Sequence, residues 1–369
     1  MNQNLEQLTP RQFKFLVALH ILGTSLISIP AGLISSAKQD AWIAFLIAII
    51  ADLAFLLLFT ALGRLDPSQS IPQIAENLLG KWFGGFYCIN MVLYGLSAAS
   101  ELVWYLSNFL KEFSAPIPTF YINFLFVLII SLTLTSGLKV LGRLTELCFP
   151  VIVAVIVLIF LSLLPSINLD QLFPIFDNPI KKIFKASLKS TTYIGAPCIN
   201  LLAFYPYRIT KQKNPHWLYF TGYLYGSSLL LVIILLSILT IGNAASNVNN
   251  GTYVLTMLVN LKNILERSGG FLALIWFTTL FFKTITYYSY GIVHLAQLLK
   301  IKNEKSFSLA LGLILLVYAP VVYRDNIQEA IWDTTTWSTY IIPVCLLLPL
   351  ILLIVGKLKK TFTHQKGTP

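Results

Sequence analysis

Ile21-Leu22-Gly23-Thr24-Ser25-Leu26-Ile27-Ser28-Ile29-Pro30 sits inside an apolar, membrane-length run from Arg11 to Ser35 and interrupts it with small, helix-disfavouring residues. A second run, from about Ser187 to Tyr207, is broken in the same way at Gly195-Ala196-Pro197. In a bilayer an unsatisfied backbone amide is costly, so unwound chain persists only where it is buried in protein or lines a cavity that uses the freed groups. Two such breaks at corresponding places in the two halves of a chain point to a transporter-type substrate site.

Around these breaks the composition is that of a polytopic membrane protein. The 369 residues are 56% hydrophobic and only 11% charged, against roughly 25% charged in soluble domains. A span needs about 20 mainly apolar residues. Ten stretches approach or exceed that length: Phe13 to Ile34, Ala41 to Leu62, Phe83 to Leu110, Phe120 to Ser136, Leu147 to Leu164, Leu188 to Tyr205, Leu218 to Ile241, Phe271 to Leu299, Phe307 to Val322 and Tyr340 to Val355. Ten spans divide as five plus five, and an odd number per half sends the second half into the bilayer in the opposite direction. The expected fold is therefore an all-α membrane domain of ten transmembrane helices, a 5+5 inverted repeat whose first and sixth helices are broken. The repeats run over about 11–165 and about 187–356 within a single domain, 1–369.

The net charge of +11 follows membrane topology rather than a nucleic-acid-binding face, and no nucleic acid partner is expected. With the N-terminus in the cytoplasm, cytoplasmic segments hold 16 of the 26 Lys and Arg and the opposite loops hold 9; Lys283 lies within a span. Both termini read as cytoplasmic by the positive-inside rule. Lys181, Lys182, Lys185 and Lys189 run against it, and Asp325 and Asp333 fall in outer loops. Ser35-Ser36-Ala37 resembles a signal-peptide cleavage site, but the long run before it, broken by Pro30, reads as an uncleaved span. Cys88, Cys148, Cys198 and Cys345 all fall within spans, so no disulfide framework is implied.

Between spans, Ser70 to Trp82 repeats apolar residues at helical spacing and reads as a short cytoplasmic surface helix, with Trp82 at headgroup depth. Asn243 to Gly269 reads as a partly helical outer cap carrying the sequon Asn250-Gly251-Thr252. Gly222-x-x-x-Gly226 allows close packing of the seventh span.

A broken helix suits a small zwitterion. The restarted helix near Ser25 and Leu26 presents free amides and a positive dipole end to a carboxylate. Carbonyls freed at Gly23 and at Gly195-Ala196-Pro197 suit an ammonium, and Thr24, Ser25, Tyr193 and Asn200 add hydrogen-bonding groups. Gly and Pro also simply kink packed membrane helices; the pairing of the two breaks favours a site. Lys283, too deep to snorkel, is expected to face the bundle interior near the first break, as an ammonium replacing a bound cation or as a proton-binding group. Glu101 is a candidate partner of Lys283 or a wall of the cavity, with Tyr94 and Ser97 on the neighbouring turn, and Asp52 is expected to face a polar groove. Packing roles are equally open to these acids. His20 and His294 have no neighbours at metal-ligand spacing and read as polar packing residues. The chain has no phosphate-binding loop, nucleophile elbow or zinc motif, so neither an enzyme nor a cofactor or metal is expected.

Particular segments carry a family resemblance. They are Leu22-Gly23 with Ile29-Pro30, Ala75-Glu76-Asn77-Leu78-Leu79-Gly80-Lys81-Trp82, Gly137-Leu138 with Arg143-Leu144 and Pro150, and Leu265-Glu266-Arg267 with Trp276. In that order and spacing the chain resembles, over essentially its whole length, the endospore germination permeases. These are the B subunits of Ger-type nutrient germinant receptors, in the amino acid, polyamine and organocation transporter superfamily. Thr24-Ser25 departs from the family's small Ala-Gly type pair, and Arg267 is followed by Ser268-Gly269-Gly270. Asn200 stands where many members carry an acid, and an arginine usual in the third span is absent, so no relative's ligand carries over. The resemblance implies a leucine-transporter-like fold in the spore inner membrane. It also implies binding of a small nutrient such as an amino acid, coupling to A and C subunits, and a sequon left bare in a bacterial protein. Two other readings stay open: a proton-coupled amino acid permease with Lys283 as the titrating group, and a membrane scaffold with a vestigial cavity.

Overall fold

The computed structural model describes residues 6–113, 117–210, 214–242, 268–301 and 303–365. The segment 243–267, with the sequon and Leu265-Glu266-Arg267, lies outside the described residues.

The first span is two helices, α1 (Pro10–Leu22) and α2 (Ser25–Ala37), followed by α3 (Ala41–Gly63). Thr9 caps α1 in a capping box with Gln12, and Pro10 occupies the first turn, where its missing N–H costs nothing. The α4 stretch, Ile71–Phe113, contains the surface helix and the third span, separated at Gly80 (φ 78°, ψ 176°), a left-handed φ that suits glycine. Trp82, just past that kink, is 88% exposed. Helices α5 (Thr119–Ser136) and α6 (Leu138–Leu163) complete the first half.

The second half opens with α7 (Ile180–Tyr193) and a 3₁₀ stretch, Ala196–Ala203, and continues with α8 (Pro215–Ile241), α9 (Ser268–Leu298) and α10 (Lys305–Val322). The last span is assembled from α11 (Asn326–Ile331), α12 (Trp337–Ile342) and α13 (Leu348–Gln365), joined by π-helical turns at Trp332–Thr336 and Pro343–Leu347. It begins well before Tyr340, the start expected from the apolar run. Asp325 caps it by accepting from the Gln328 amide. This early start carries Glu329 and Asp333 into the bundle rather than leaving Asp333 in an outer loop.

Among the described residues, six stretches are long and apolar enough to cross a membrane: Ser25–Gly63, Ile71–Lys111, Thr119–Ser136, Leu138–Ser166, Pro215–Thr240 and Asn326–Lys359; Phe307–Val322 is a shorter apolar helix. Breaks divide the first and sixth spans into halves too short to qualify alone. The helices at the edge turn Leu147, Val151, Leu158 and Leu161 of α6, and Leu309, Leu313, Val317 and Val321 of α10, outward. Apolar faces of that kind are stable against lipid. Helix α9 is the opposite case. From Ile275 to Val293 it is buried nearly all round, Phe282, Ile285, Tyr288 and Tyr290 completely, which makes it the axis of the bundle.

Small residues set the closest approaches. A β-carbon at Gly222 would come 2.7 Å from the Lys14 carbonyl oxygen, and one at Gly226 2.7 Å from Ile21 Cβ, so α8 lies directly on α1. Gly95 and Gly291 do the same for α4 and α9. All four cysteines are free.

Candidate functional site

Proline decides the geometry of the sixth span. In a continuous α-helix the amide of residue 197 would bond the carbonyl of Tyr193, but Pro197 has no N–H. Helix α7 accordingly ends at Tyr193, and the chain continues as 3₁₀ turns rather than a second α-helix. The freed Tyr193 carbonyl accepts from Lys283 Nζ at 3.3 Å, and the Thr192 carbonyl, also at this end, accepts from Trp337 Nε1 at 3.2 Å.

The first span breaks at Gly23, whose amide still donates to Leu19 O while the carbonyl of Thr24 starts α2 by accepting from Ile27 and Ser28. The leading amides of a helix have no intrahelical acceptor, and those of Ser25 and Leu26 are buried at the break beneath Thr24, Ile27 and Ser28 of the cavity lining. Ser25 is buried with its hydroxyl unpartnered. Lys283 joins the two breaks: its Nζ donates to Thr24 Oγ1 at 3.0 Å as well as to Tyr193 O. Its side chain passes so close to Gly23 that a β-carbon there would overlap Lys283 Cδ and lie 2.8 Å from Lys283 Cβ. The Thr279 hydroxyl reaches Gly23 O at 3.4 Å, and His20 Nδ1 lies 2.6 Å from Thr286 Oγ1. His294 Nδ1 lies 2.8 Å from Tyr290 O.

A cavity of 570 Å³ opens above this junction at the α2 and α7 end. Of the residues singled out from sequence, Thr24, Glu101, Tyr193 and Lys283 line it. Gly23, Ser25, Gly195, Ala196 and Pro197 are buried and shape the breaks. Tyr94 and Asn200 are buried against each other, Asn200 Nδ2 donating to Tyr94 Oη at 3.3 Å, and neither lines the cavity. Ser97 is half-buried and also off the wall.

The expected pairing of Glu101 with Lys283 is not formed. The two ion pairs among the described residues are Arg208–Glu304 and Lys305–Glu6. The hydroxyl and carbonyl at the two breaks take the lysine instead, and Glu101 faces two carboxylates from the last span. Those two, Glu329 and Asp333, are not marked as site residues by hydropathy, nor is Tyr105, whose hydroxyl lies 2.8 Å from Glu329 Oε1 and 3.3 Å from Asp333 Oδ2. The available signal was the helix-start pattern Asp325-x-x-Gln328, which places Glu329 and Asp333 one turn apart on the same face. Tyr193 stacks on Trp337 at 5.8 Å, with interplanar angle 21°, and donates its hydroxyl to Asp333 O at 3.2 Å.

Asp52 lies behind the second break rather than on a groove. It is fully buried, its Oδ2 accepts from Tyr223 at 2.6 Å, and its Oδ1 is unpartnered.

The opposite end of the bundle is cross-tied. Leu8 and Ile209 form a short parallel bridge, Glu6 accepts from the Leu138 amide at 2.8 Å and pairs with Lys305 at 3.0 Å, and Arg208 pairs with Glu304. Burial pushes the Glu6 carboxyl up, but its bonds to Lys305 and Leu138 and the charges of Lys305 and Lys139 outweigh that and leave it below its ordinary value. These groups line a second cavity of 530 Å³.

Comparison with known proteins matches this architecture. A family described as "Spore germination protein" covers residues 7–329. The chain is 21% identical over 358 residues to spore germination protein YndE of Bacillus subtilis (strain 168), covering 96% of this chain and 97% of that one. It is 22% identical over 355 residues to spore germination protein KB of the same strain, covering 95% and 94%. Among solved structures it is similar to Mhp1, a nucleobase-cation-symport-1 family transporter in a closed conformation with bromovinylhydantoin bound (TM-score 0.70, 13% identity, 95% of this chain and 78% of that one). It is also similar to MhsT in complex with L-phenylalanine (TM-score 0.63, 14% identity, 95% and 98%). The fold is that of the leucine-transporter-like transporters, a 5+5 inverted repeat with broken first and sixth helices. The chain is a membrane protein that belongs to the spore germination protein family.

Proposed function

We propose that this protein is the nutrient-binding subunit of a spore germinant receptor, with an amino acid as its ligand, and not an enzyme. The observation that carries this reading is the junction of the two breaks, where Lys283 Nζ meets Thr24 Oγ1 and Tyr193 O beneath a 570 Å³ cavity. The ammonium of Lys283 and the leading amides of α2 together form a positive floor for a carboxylate. The cavity's opposite wall is acidic and aromatic, which suits the ligand's ammonium end. MhsT, whose structure contains L-phenylalanine, offers a precedent for an amino acid in this fold.

In this reading the protein lies in the spore inner membrane with both termini cytoplasmic, and the ligand enters from the outer side. Occupancy favours one of two bundle arrangements, which A and C subunits read. The test is equilibrium binding of labelled amino acids to the purified protein, with Gly23→Val and Gly195→Val as blocked forms. Saturable binding that both substitutions abolish is expected. No binding, or equal binding by the blocked forms, would leave the scaffold reading. Genes for A and C subunits beside this one are expected as well.

The second cavity and its ion-pair latch favour a second reading, a proton-coupled amino acid permease whose cross-tied end opens in turn. Sustained uptake into proteoliposomes under a proton gradient, lost in Lys283→Met, would establish it.

A further inference from the structure

The cavity's charges do not balance. Glu329 and Asp333 stand one turn apart in the last span, a spacing at which like charges repel. Both approach the same Tyr105 hydroxyl, at 2.8 and 3.3 Å. That hydroxyl has one proton and can satisfy one carboxylate at a time. Glu101 lines the same cavity, is only 8% exposed and forms no ion pair among the described residues. The groups that face it, the Tyr323 hydroxyl and the Trp332 indole N–H, are neutral donors and bring no compensating charge. Two cationic side chains line the cavity. They are Lys283, held by Thr24 and Tyr193 O, and Lys189, on the exposed side of α7, so that among the described residues three carboxylates face two ammonium groups. Negative charge left in excess in this way is relieved by a proton or by a cationic ligand, and a cavity of this size admits the second.

We propose that the ligand supplies it: a basic amino acid whose side chain carries an ammonium or guanidinium group, with Glu101, Glu329 and Asp333 as the wall that binds that group. The inference rests on the reading of this cavity as an amino acid site. It assigns the two poles of the ligand to two ends of the cavity, the carboxylate to Lys283 and the α2 amides, the side-chain cation to the acidic wall. Trp104, Tyr105 and Trp337 also line the cavity, and aromatic rings suit a desolvated cation. Trp104 packs edge-on to Tyr105 at 5.5 Å, which holds the phenol in register with the two carboxylates.

The test compares ligands of one shape that differ in one charge. L-lysine and L-norleucine share a straight four-carbon side chain, and only lysine carries the terminal ammonium. Binding of each to the purified full-length chain in lipid nanodiscs is measured by calorimetry. Lysine or arginine is expected to bind at least tenfold more tightly than norleucine. That ratio is expected to collapse toward one in Asp333→Asn and in Glu101→Gln, each checked for a native melting temperature. Norleucine binding as tightly as both basic amino acids would overturn the proposal while leaving the amino acid site intact. Failure of every amino acid to bind would overturn both. Cadaverine, which is lysine without its carboxylate, is the further arm: weaker binding than lysine supports the two-pole assignment, and equal binding overturns the carboxylate pole.

Discussion

Gly195 lies against the carboxylate of Asp52: a β-carbon on this glycine would overlap Asp52 Oδ1 and come 2.8 Å from Asp52 Cβ. The break in the sixth span thus has two causes. Pro197 removes the hydrogen bond that would continue the helix, and Gly195 leaves room for a buried acid from α3 that Tyr223 holds from α8.

Gly195→Ala is therefore an overpacking substitution, expected to cost about 1–3 kcal/mol. Asp52→Ala removes the carboxylate and is expected to absorb part of that cost. A double-mutant cycle of thermal or denaturant unfolding in detergent should give a coupling of about 0.5–3 kcal/mol between the two sites. Strict additivity would show that the contact carries no strain.

Gly23→Ala presses on the Lys283 side chain instead. Its β-carbon meets Cβ and Cγ of that lysine at 2.8 and 3.0 Å, close to the stem, where a rotamer change cannot clear it. Displacing Nζ from Thr24 and Tyr193 O should weaken amino acid binding at least tenfold, equivalent to about 1.4 kcal/mol. Equilibrium binding measures this directly, and unchanged affinity would remove Lys283 from the site.

Two glycines separate packing from cavity effects. Gly226→Ala places a β-carbon 2.7 Å from Ile21 Cβ and 2.8 Å from Ala18 O, and it should lower the melting temperature by forcing α8 off α1. Gly32 borders the cavity, and a β-carbon there meets nothing within 4 Å. Gly32→Ala should leave stability unchanged or raise it by up to about 1 kcal/mol, because alanine is the better helix former.

The latch at the cross-tied end has a definite pH sense. The Glu6 carboxyl is depressed below its ordinary 4.5 in the folded protein, its bonds to Lys305 and Leu138 outweighing burial. Its contribution to stability is therefore fully present above that value and is lost as pH falls below it, through the depressed pKa. A cysteine introduced at Ser289, in the second cavity, should react faster with a thiol reagent at acid pH when rates are corrected for thiolate content. Glu6→Gln should give that faster rate at neutral pH. A rate insensitive to both changes would show that the latch does not hold this end closed.

How far the chain could be read in advance follows from the range of each interaction. Breaks at Gly23 and at Gly195 to Pro197 are local facts of backbone chemistry, visible wherever glycine or proline interrupts an apolar run. The start of the last span is hidden from hydropathy, because Glu329, Asp333 and a run of threonines look like a polar loop. In the folded bundle the two acids meet Tyr105, and Thr334 and Thr335 bond carbonyls of their own helix, so a helix can carry this polar stretch. Lys283 was legible as an interior residue because a charge so deep in a span must face protein. Its partners were not, since Thr24 and Tyr193 are 259 and 90 residues away along the chain.

Apolar length and the missing N–H of proline act within a few residues, so ten spans and two matched breaks are written in the local chain. That Lys283 joins those breaks, that Glu101 belongs with Glu329 and Asp333 rather than with Lys283, and that Asp52 packs on Gly195 emerge from the packed bundle alone. Those pairings come from helices brought together by burial of their small and apolar faces. No local pattern specifies which distant hydroxyl, carbonyl or carboxylate a buried charge will meet.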